Sequence, residues 1–261
     1  QPPMYGHTVA ELRRMRVAVP DELEARARRG IEFLLRRRRR SAEGLVLLAH
    51  PWETGCDDSP RWDDVCGGDQ FDLPRWFDRK GELVESIEFD EAGSPIGNRA
   101  MTVASAGFNA LLAFNAAELD IDASDVVDAL DARWDHDLIT WIDAGETANG
   151  SGRARTVDGL LGTLVTADDA KRSAAFDALV DPAAHGAQYG PTGVHRGEPS
   201  FAPDVYWRGP TWPQLSYLLW LAARRFAPET QRDLAATIAA STMAGAWRSG
   251  FAEYWHPDTG Q

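Results

Sequence analysis

Two short segments far apart in the chain combine the residue types that glycosidic chemistry uses. His50-Pro51-Trp52-Glu53-Thr54-Gly55-Cys56-Asp57-Asp58-Ser59-Pro60-Arg61-Trp62-Asp63 and Phe251-Ala252-Glu253-Tyr254-Trp255-His256-Pro257-Asp258-Thr259-Gly260 each set acids among tryptophans. Flat aromatic rings cover the apolar faces of a pyranose, while carboxyls exchange protons with the glycosidic oxygen and a water. One carboxylic acid must protonate the leaving oxygen, and a second carboxylate must activate water or attack the anomeric carbon. Asp57 and Glu253 are the candidates. Asp57 follows Gly55 and is flanked by Asp58, whose negative charge would raise its neighbour's pKa and keep it protonated. Glu253 lies between Phe251 and Tyr254, where partial desolvation would tune a base. Taken singly, the Asp57-Asp58 pair suits an Asx-turn and Glu253 a surface ion pair; the two contexts together favour catalysis.

A third segment, Tyr206-Trp207-Arg208-Gly209-Pro210-Thr211-Trp212-Pro213, adds two indoles, a phenol and a guanidinium just before a helix pattern. Such a set stacks on a sugar and clamps its hydroxyls or a carboxylate. Trp212 fits a buried helix face equally well; for Arg208 beside Trp207 a binding role leads. His50, Glu53, Cys56, Asp57 and Asp58 mix metal-ligating types, but their spacing matches no established ligand pattern, so no metal is expected. Cys56 and Cys66 are read as packed thiols rather than nucleophiles, because no accompanying histidine arrangement is legible.

Composition bounds the rest. With 261 residues, 44% hydrophobic and 26% charged, the chain has ordinary globular make-up, and one domain is the simplest reading. A formal net charge of -13 argues against nucleic acid or an anionic membrane as partner and suits a small neutral carbohydrate. Two cysteines give no disulfide framework, which points to a reducing, cytoplasmic setting. No apolar stretch approaches the roughly 18 residues of a membrane span. The chain opens at Gln1-Pro2-Pro3 without a methionine and stops at Gln261 directly after a motif, so a fragment of a longer chain is expected.

The elements that must position these residues read as helices. Pro20-Asp21-Glu22 opens one in which Leu23, Ala27, Ile31, Leu34 and Leu35 recur at helical spacing, and Arg36 to Arg40 suits its solvated C-terminal end. Further helices are predicted from about Met101 to Leu119, from Ser124 to Ile142 with Leu130, Trp134, Leu138 and Trp141 aligned, from Trp212 to Phe226, and after Pro228 through Leu234 and Ile238. Segments of period two are scarce, so the fold class is all-α. Two long stretches, Ala49 to Arg99 and Pro182 to Pro213, are rich in Gly, Pro and Asp and read as functional loops.

Together, in their order, the three motifs resemble those of glycoside hydrolase family 63 and its relatives, which include glucosylglycerate and mannosylglycerate hydrolases and, more distantly, trehalases. The resemblance implies an (α/α)6 barrel, an inverting mechanism and no cofactor. It maps the general acid to Asp57 and the general base to Glu253, and suggests that Trp52, Gly55, Tyr206, Trp207, Arg208 and Trp212 line the sugar subsite. Gln1 resembles a polar contact to the aglycone. Residues 1–261 would form part of one catalytic domain, with the N-terminal helices and the final helix of the barrel beyond its ends. Cys56 and Asp58 stand where relatives commonly carry methionine and asparagine, and Val65 to Arg99 does not follow the flap of the glucosylglycerate hydrolases. The activity expected is therefore exo-acting hydrolysis of an α-glucoside or α-mannoside of a small aglycone, such as glucosylglycerate or mannosylglycerate, or of a short oligosaccharide. A trehalase or debranching type of toroid glycosidase and a non-catalytic sugar-binding protein are the alternatives.

Overall fold

The computed structural model describes residues 2–66, 72–148 and 150–261. Helices dominate them: α1 (Tyr5–Arg14), α2 (Asp21–Arg37), the single turn α3 (Asp63–Cys66), α4 (Leu73–Glu85), α5 (Ala106–Ala117), α6 (Ser124–Asp131), α7 (Asp169–Val180), α8 (Pro213–Phe226) and α9 (Leu234–Arg248). The strands among the described residues make two small antiparallel hairpins, β1 (Ile87–Phe89) with β2 (Pro95–Asn98) and β3 (Trp134–Asp135) with β4 (Thr140–Trp141).

The centre of the packing is α5. Every residue from Ala106 to Ala116 is buried, as expected for a helix that is apolar all round. Its two asparagines tie it to its neighbours: Asn109 Oδ1 accepts from the Val46 amide at 2.8 Å, and Asn115 Oδ1 accepts from the His7 amide at 2.8 Å. Helices α1 and α2 pack on one side of it, and the wholly buried 3₁₀ segment Val157–Leu164 on another, with α8 and then α9 beyond. Eight residues is long for a 3₁₀ run, whose poorer hydrogen-bond geometry usually ends it within a turn.

Helix α2 follows its sequence pattern, with Ala27, Ile31, Leu34 and Leu35 buried, acids in the first turn and Arg36 and Arg37 in the last. The arginine run is not uniformly solvated, however. Arg38 is buried and pairs with both oxygens of Glu53, because the chain turns inward after α2.

Three further expectations need correction. The helix expected from Ser124 to Ile142 ends at Asp131. Asp135 Oδ1 accepts from the amides of Asp137 and Leu138, an Asx-type turn that reverses the chain and sets Trp134 opposite Trp141 with ring centroids 4.5 Å apart. The spacing read as a helical face is thus satisfied across a hairpin. The stretch from Ala49 to Arg99 is not one long loop, since it holds α3, α4 and the β1/β2 hairpin. Asp72 caps α4 by accepting from the Arg75 amide, with Pro74 in the first turn. The expected helix from Met101 starts only at Ala106, after Ser105, whose hydroxyl accepts from the Phe108 amide. Pro182 to Pro213 is irregular throughout, as expected, and is stitched by isolated bridges Thr156↔Val194 and Thr211↔Trp255.

Candidate active site

The first motif is built around neutralised charges. His50 ends the preceding chain and caps the 3₁₀ turn Pro51–Thr54: its Nδ1 accepts from the Trp52 amide, and its Nε2 donates to the Lys80 carbonyl at 3.0 Å. That pair of bonds fits the neutral ring, and burial lowers its pKa. Glu53 is held by Arg38 and by the Ala49 amide at 2.6 Å. Asp58 pairs with buried Lys80 at 2.6 Å, and Asp63 pairs with Arg208 at 2.9 Å. Arg61 reaches Asp143 at 2.8 Å, Asp158 at 2.7 Å and the Ser105 hydroxyl at 2.8 Å. The turn that presents Asp57 depends on Gly55, whose φ of 72° lies where L side chains are strained.

Asp57 is different. Among the described residues it has neither a hydrogen-bond nor an ion-pair partner, and its half-buried carboxyl is raised above the ordinary aspartate range, first by burial. Lys80 pulls it down, while Asp58 and Glu253 push it up. The expected cause therefore needs correction: desolvation leads, and the effect of Asp58 is smaller than that of the lysine paired with it.

The second and third motifs are joined by reciprocal backbone hydrogen bonds between Thr211 and Trp255, 2.9 Å from the Thr211 amide to the Trp255 carbonyl and 3.3 Å in return. Trp255 is buried, its indole donating to the Tyr189 carbonyl at 2.6 Å. This anchors the chain two residues from Glu253. Trp207 stacks on Trp212 with centroids 3.6 Å apart and planes within 6°, and Tyr206 and Tyr254 close around them. Trp207 has a φ of 58°, a costly value for a bulky residue, held here by the surrounding aromatic packing.

Asp57, Glu253, Gly55, Tyr206 and Trp207 line one cavity of about 320 Å³, within the range of small-ligand sites. The other expected residues take different places. Trp212 stands behind Trp207 as its stacking partner. Arg208 is buried against Asp63, with its guanidinium 5.1 Å from the Trp76 ring, and borders a neighbouring cavity. Its charge is committed to holding the first and third motifs together. Trp52 is 43% exposed and leans on His50 at 4.2 Å, away from the cavity walls. Gln1 lies outside the described residues, although Pro2 beside it is part of the wall. Glu253 is exposed, and Phe251 is 71% exposed, so the expected desolvation of the base by its neighbours is not seen.

The neighbouring cavity is larger, about 710 Å³, but its charged walls are engaged, Arg208 with Asp63, Arg153 with Asp135 and Glu198 with Arg155. The smaller cavity is the one that gathers Asp57 and Glu253. Its walls also include Asp158, Phe108, Gln214 and Tyr217, none of which the sequence marks as a site residue. Nothing in Val157-Asp158-Gly159-Leu160-Leu161 marks a site; only the long 3₁₀ segment brings it there. The described wall carries the carboxyls of Asp57, Asp158 and Glu253 and no Lys, Arg or His side chain. Among the described residues, no three His, Cys, Asp or Glu side chains group to hold a metal.

A family model for the mannosylglycerate hydrolase MGH1-like glycoside hydrolase domain matches residues 1–261. The chain is 28% identical over 260 residues to a mannosylglycerate hydrolase of Thermus thermophilus, covering 84% of this chain and 60% of that protein. It is 24% identical over 310 residues to a mannosylglycerate hydrolase of Rubrobacter radiotolerans, covering 100% of this chain and 69% of that protein. It thus spans between three fifths and about 70% of the length of these relatives. In fold it is similar to a GH63 mannosylglycerate hydrolase of Thermus thermophilus solved in complex with glucose, with a TM-score of 0.77 at 24% identity over 100% of this chain and 72% of that one.

Proposed function

The chain belongs to the MGH1-like glycoside hydrolases of family 63, and from that premise we propose that it is an inverting, exo-acting glycosidase of an α-glucoside or α-mannoside with a small aglycone. Mannosylglycerate leads as substrate because two relatives carry the name mannosylglycerate hydrolase, and a solved relative binds glucose. The helical layers around α5 would belong to an (α/α)6 toroid. Two free, buried cysteines fit a reducing cytoplasm, and no helix of the described residues is long and apolar enough to cross a membrane.

One observation carries the catalytic reading. Asp57, unpartnered among the described residues and pushed toward its protonated form by burial, shares a cavity with solvent-accessible Glu253 across an aromatic wall. A protonated Asp57 donates its proton to the glycosidic oxygen as the anomeric C–O bond breaks. Glu253 takes a proton from the water that attacks the opposite face of the sugar. The exposure of Glu253 suits a base that must be reached by water. Tyr206 and Trp207 provide the apolar face on which a pyranose stacks.

Separate roles give separate phenotypes. A glycosyl fluoride needs no acid to expel its leaving group, so Asp57→Ala should lose turnover of a natural glycoside by about a thousandfold yet hydrolyse the fluoride well. Glu253→Ala should lose both. Normal activity of either variant on the natural substrate would reject the assignment.

A further inference from the structure

We propose that Asp158 is a sugar-binding residue, a carboxylate fixed by Arg61 that accepts a hydroxyl hydrogen bond from the pyranose in the cavity. This rests on the glycosidase reading and extends it to a residue that none of the three motifs contains.

Asp158 is 5% exposed and forms part of the cavity wall. Its Oδ2 lies 2.7 Å from Arg61 Nη2, and no other partner meets its carboxylate among the described residues. Arg61 does not need it for neutrality. Asp143 already meets the same guanidinium through both oxygens, at 2.8 and 3.0 Å, and the Ser105 hydroxyl adds a further contact at 2.8 Å. Among the described residues, one buried cation with two buried carboxylates leaves a negative charge without an ion-pair partner, a costly arrangement. Hydroxyl donors in the cavity would offset it.

The backbone holds Asp158 hard against α5. A Cβ on Gly107 would sit 2.8 Å from both Asp158 Oδ2 and its carbonyl oxygen, so a side chain there would displace the carboxylate. A carboxylate acceptor in the cavity wall matches a ligand that offers hydroxyls, which donate as well as accept.

The test is a functional-group cycle on the full-length protein. Binding of methyl α-mannoside, methyl α-glucoside and their 2-, 3-, 4- and 6-deoxy forms is measured by calorimetry for wild type, Asp158→Asn and Asp158→Ala, with thermal melts to follow folding. Arg61 keeps Asp143 in both variants, which favours a native fold. At least one deoxy position should weaken wild-type binding about tenfold or more, the worth of a hydrogen bond to a charged group. The same deletion should cost Asp158→Ala less than about threefold, because its partner has gone. Deoxy penalties unchanged in both variants would overturn the proposal. If the glycosides bind with the expected coupling but are not hydrolysed by wild type, the catalytic assignment fails and the role of Asp158 stands. Hydrolysis by wild type without that coupling sinks this inference alone, and binding of neither glycoside overturns both.

Discussion

Within the shift that burial gives Asp57, the Asp58–Lys80 ion pair adds two opposed charges, and removing its two halves should move activity in opposite directions along the pH axis. The pair is buried, 2.6 Å from Nζ to Oδ1, and acts on a carboxyl whose pKa burial raises. With Asp57 as the proposed general acid, the alkaline limb of kcat/KM reports its pKa in the free enzyme. Asp58→Asn removes a repelling negative charge and leaves Lys80 to act on Asp57 alone; both effects lower that pKa and move the limb to lower pH. Lys80→Met removes an attracting positive charge and leaves Asp58 uncompensated, so the limb moves up. For unit charges on the order of 7 Å apart, screened by an effective dielectric of about 40 beside a half-buried group, the interaction is about 1.2 kcal/mol, close to one pH unit. Each single variant should therefore shift the limb by about one unit, and the Asp58→Asn/Lys80→Met double variant should return to within about half a unit of wild type. The assay is a kcat/KM profile across pH 4 to about 9 with an oxygen-linked glycoside. Lys80→Met leaves a buried carboxylate unpaired and should cost about 3–5 kcal/mol of stability, so profiles are compared below its melting temperature. Shifts of the same sign in both single variants, or none, would refute the electrostatic reasoning.

Two further outcomes follow from buried groups away from the cavity. Arg38→Met strands Glu53 beside the first motif and should lower stability by roughly 3 kcal/mol, while Glu53→Gln/Arg38→Met should recover part of the loss; equal loss in both, measured by denaturant unfolding, would show that the pair does not anchor the motif. His185 is buried, with Nδ1 donating to the Thr192 carbonyl at 3.0 Å, and burial pushes its pKa down to about 3. Its folded-state pKa lies below the unfolded value, so its contribution is complete above about pH 6.5 and lost as pH falls toward 3, by about 1.4 kcal/mol per unit in that window. His185→Asn should flatten the stability profile between about pH 6.5 and about 4.5; an unchanged slope would contradict this.

The chemistry was more legible in the sequence than its geometry. Asp57, Glu253, Tyr206 and Trp207 stand in dense local motifs, and the structure brings them to one cavity. The apolar periodicity of α2, α5, α8 and α9 likewise marks helices that exist, because their buried faces repeat along one element. The 124–142 helix failed because Trp134 and Trp141 meet across a turn made by Asp135, a side-chain to backbone competition that period counting cannot see. Arg208 and Trp52 lie outside this cavity's walls for a related reason. A guanidinium beside a tryptophan suits a sugar, but Asp63, far away in sequence, claims that charge first, and Trp52 finds its partner in His50. Asp158 carries no local signal, since its role depends on Arg61, on Gly107 and on an irregular segment whose path only the packed core determines.

The most direct test of the acid and base assignment is the anomeric configuration of the first sugar released. Wild-type protein is mixed with mannosylglycerate, and with glucosylglycerate in parallel, and proton NMR spectra are collected before mutarotation equilibrates the product. A general acid at Asp57 and a water-activating base at Glu253 require the β-anomer to appear first from an α-glycoside, the outcome of inverting enzymes, whose carboxyls stand roughly 6.5 to 9.5 Å apart. First-formed α-anomer would mean retention through a covalent intermediate and would contradict the roles assigned to both residues.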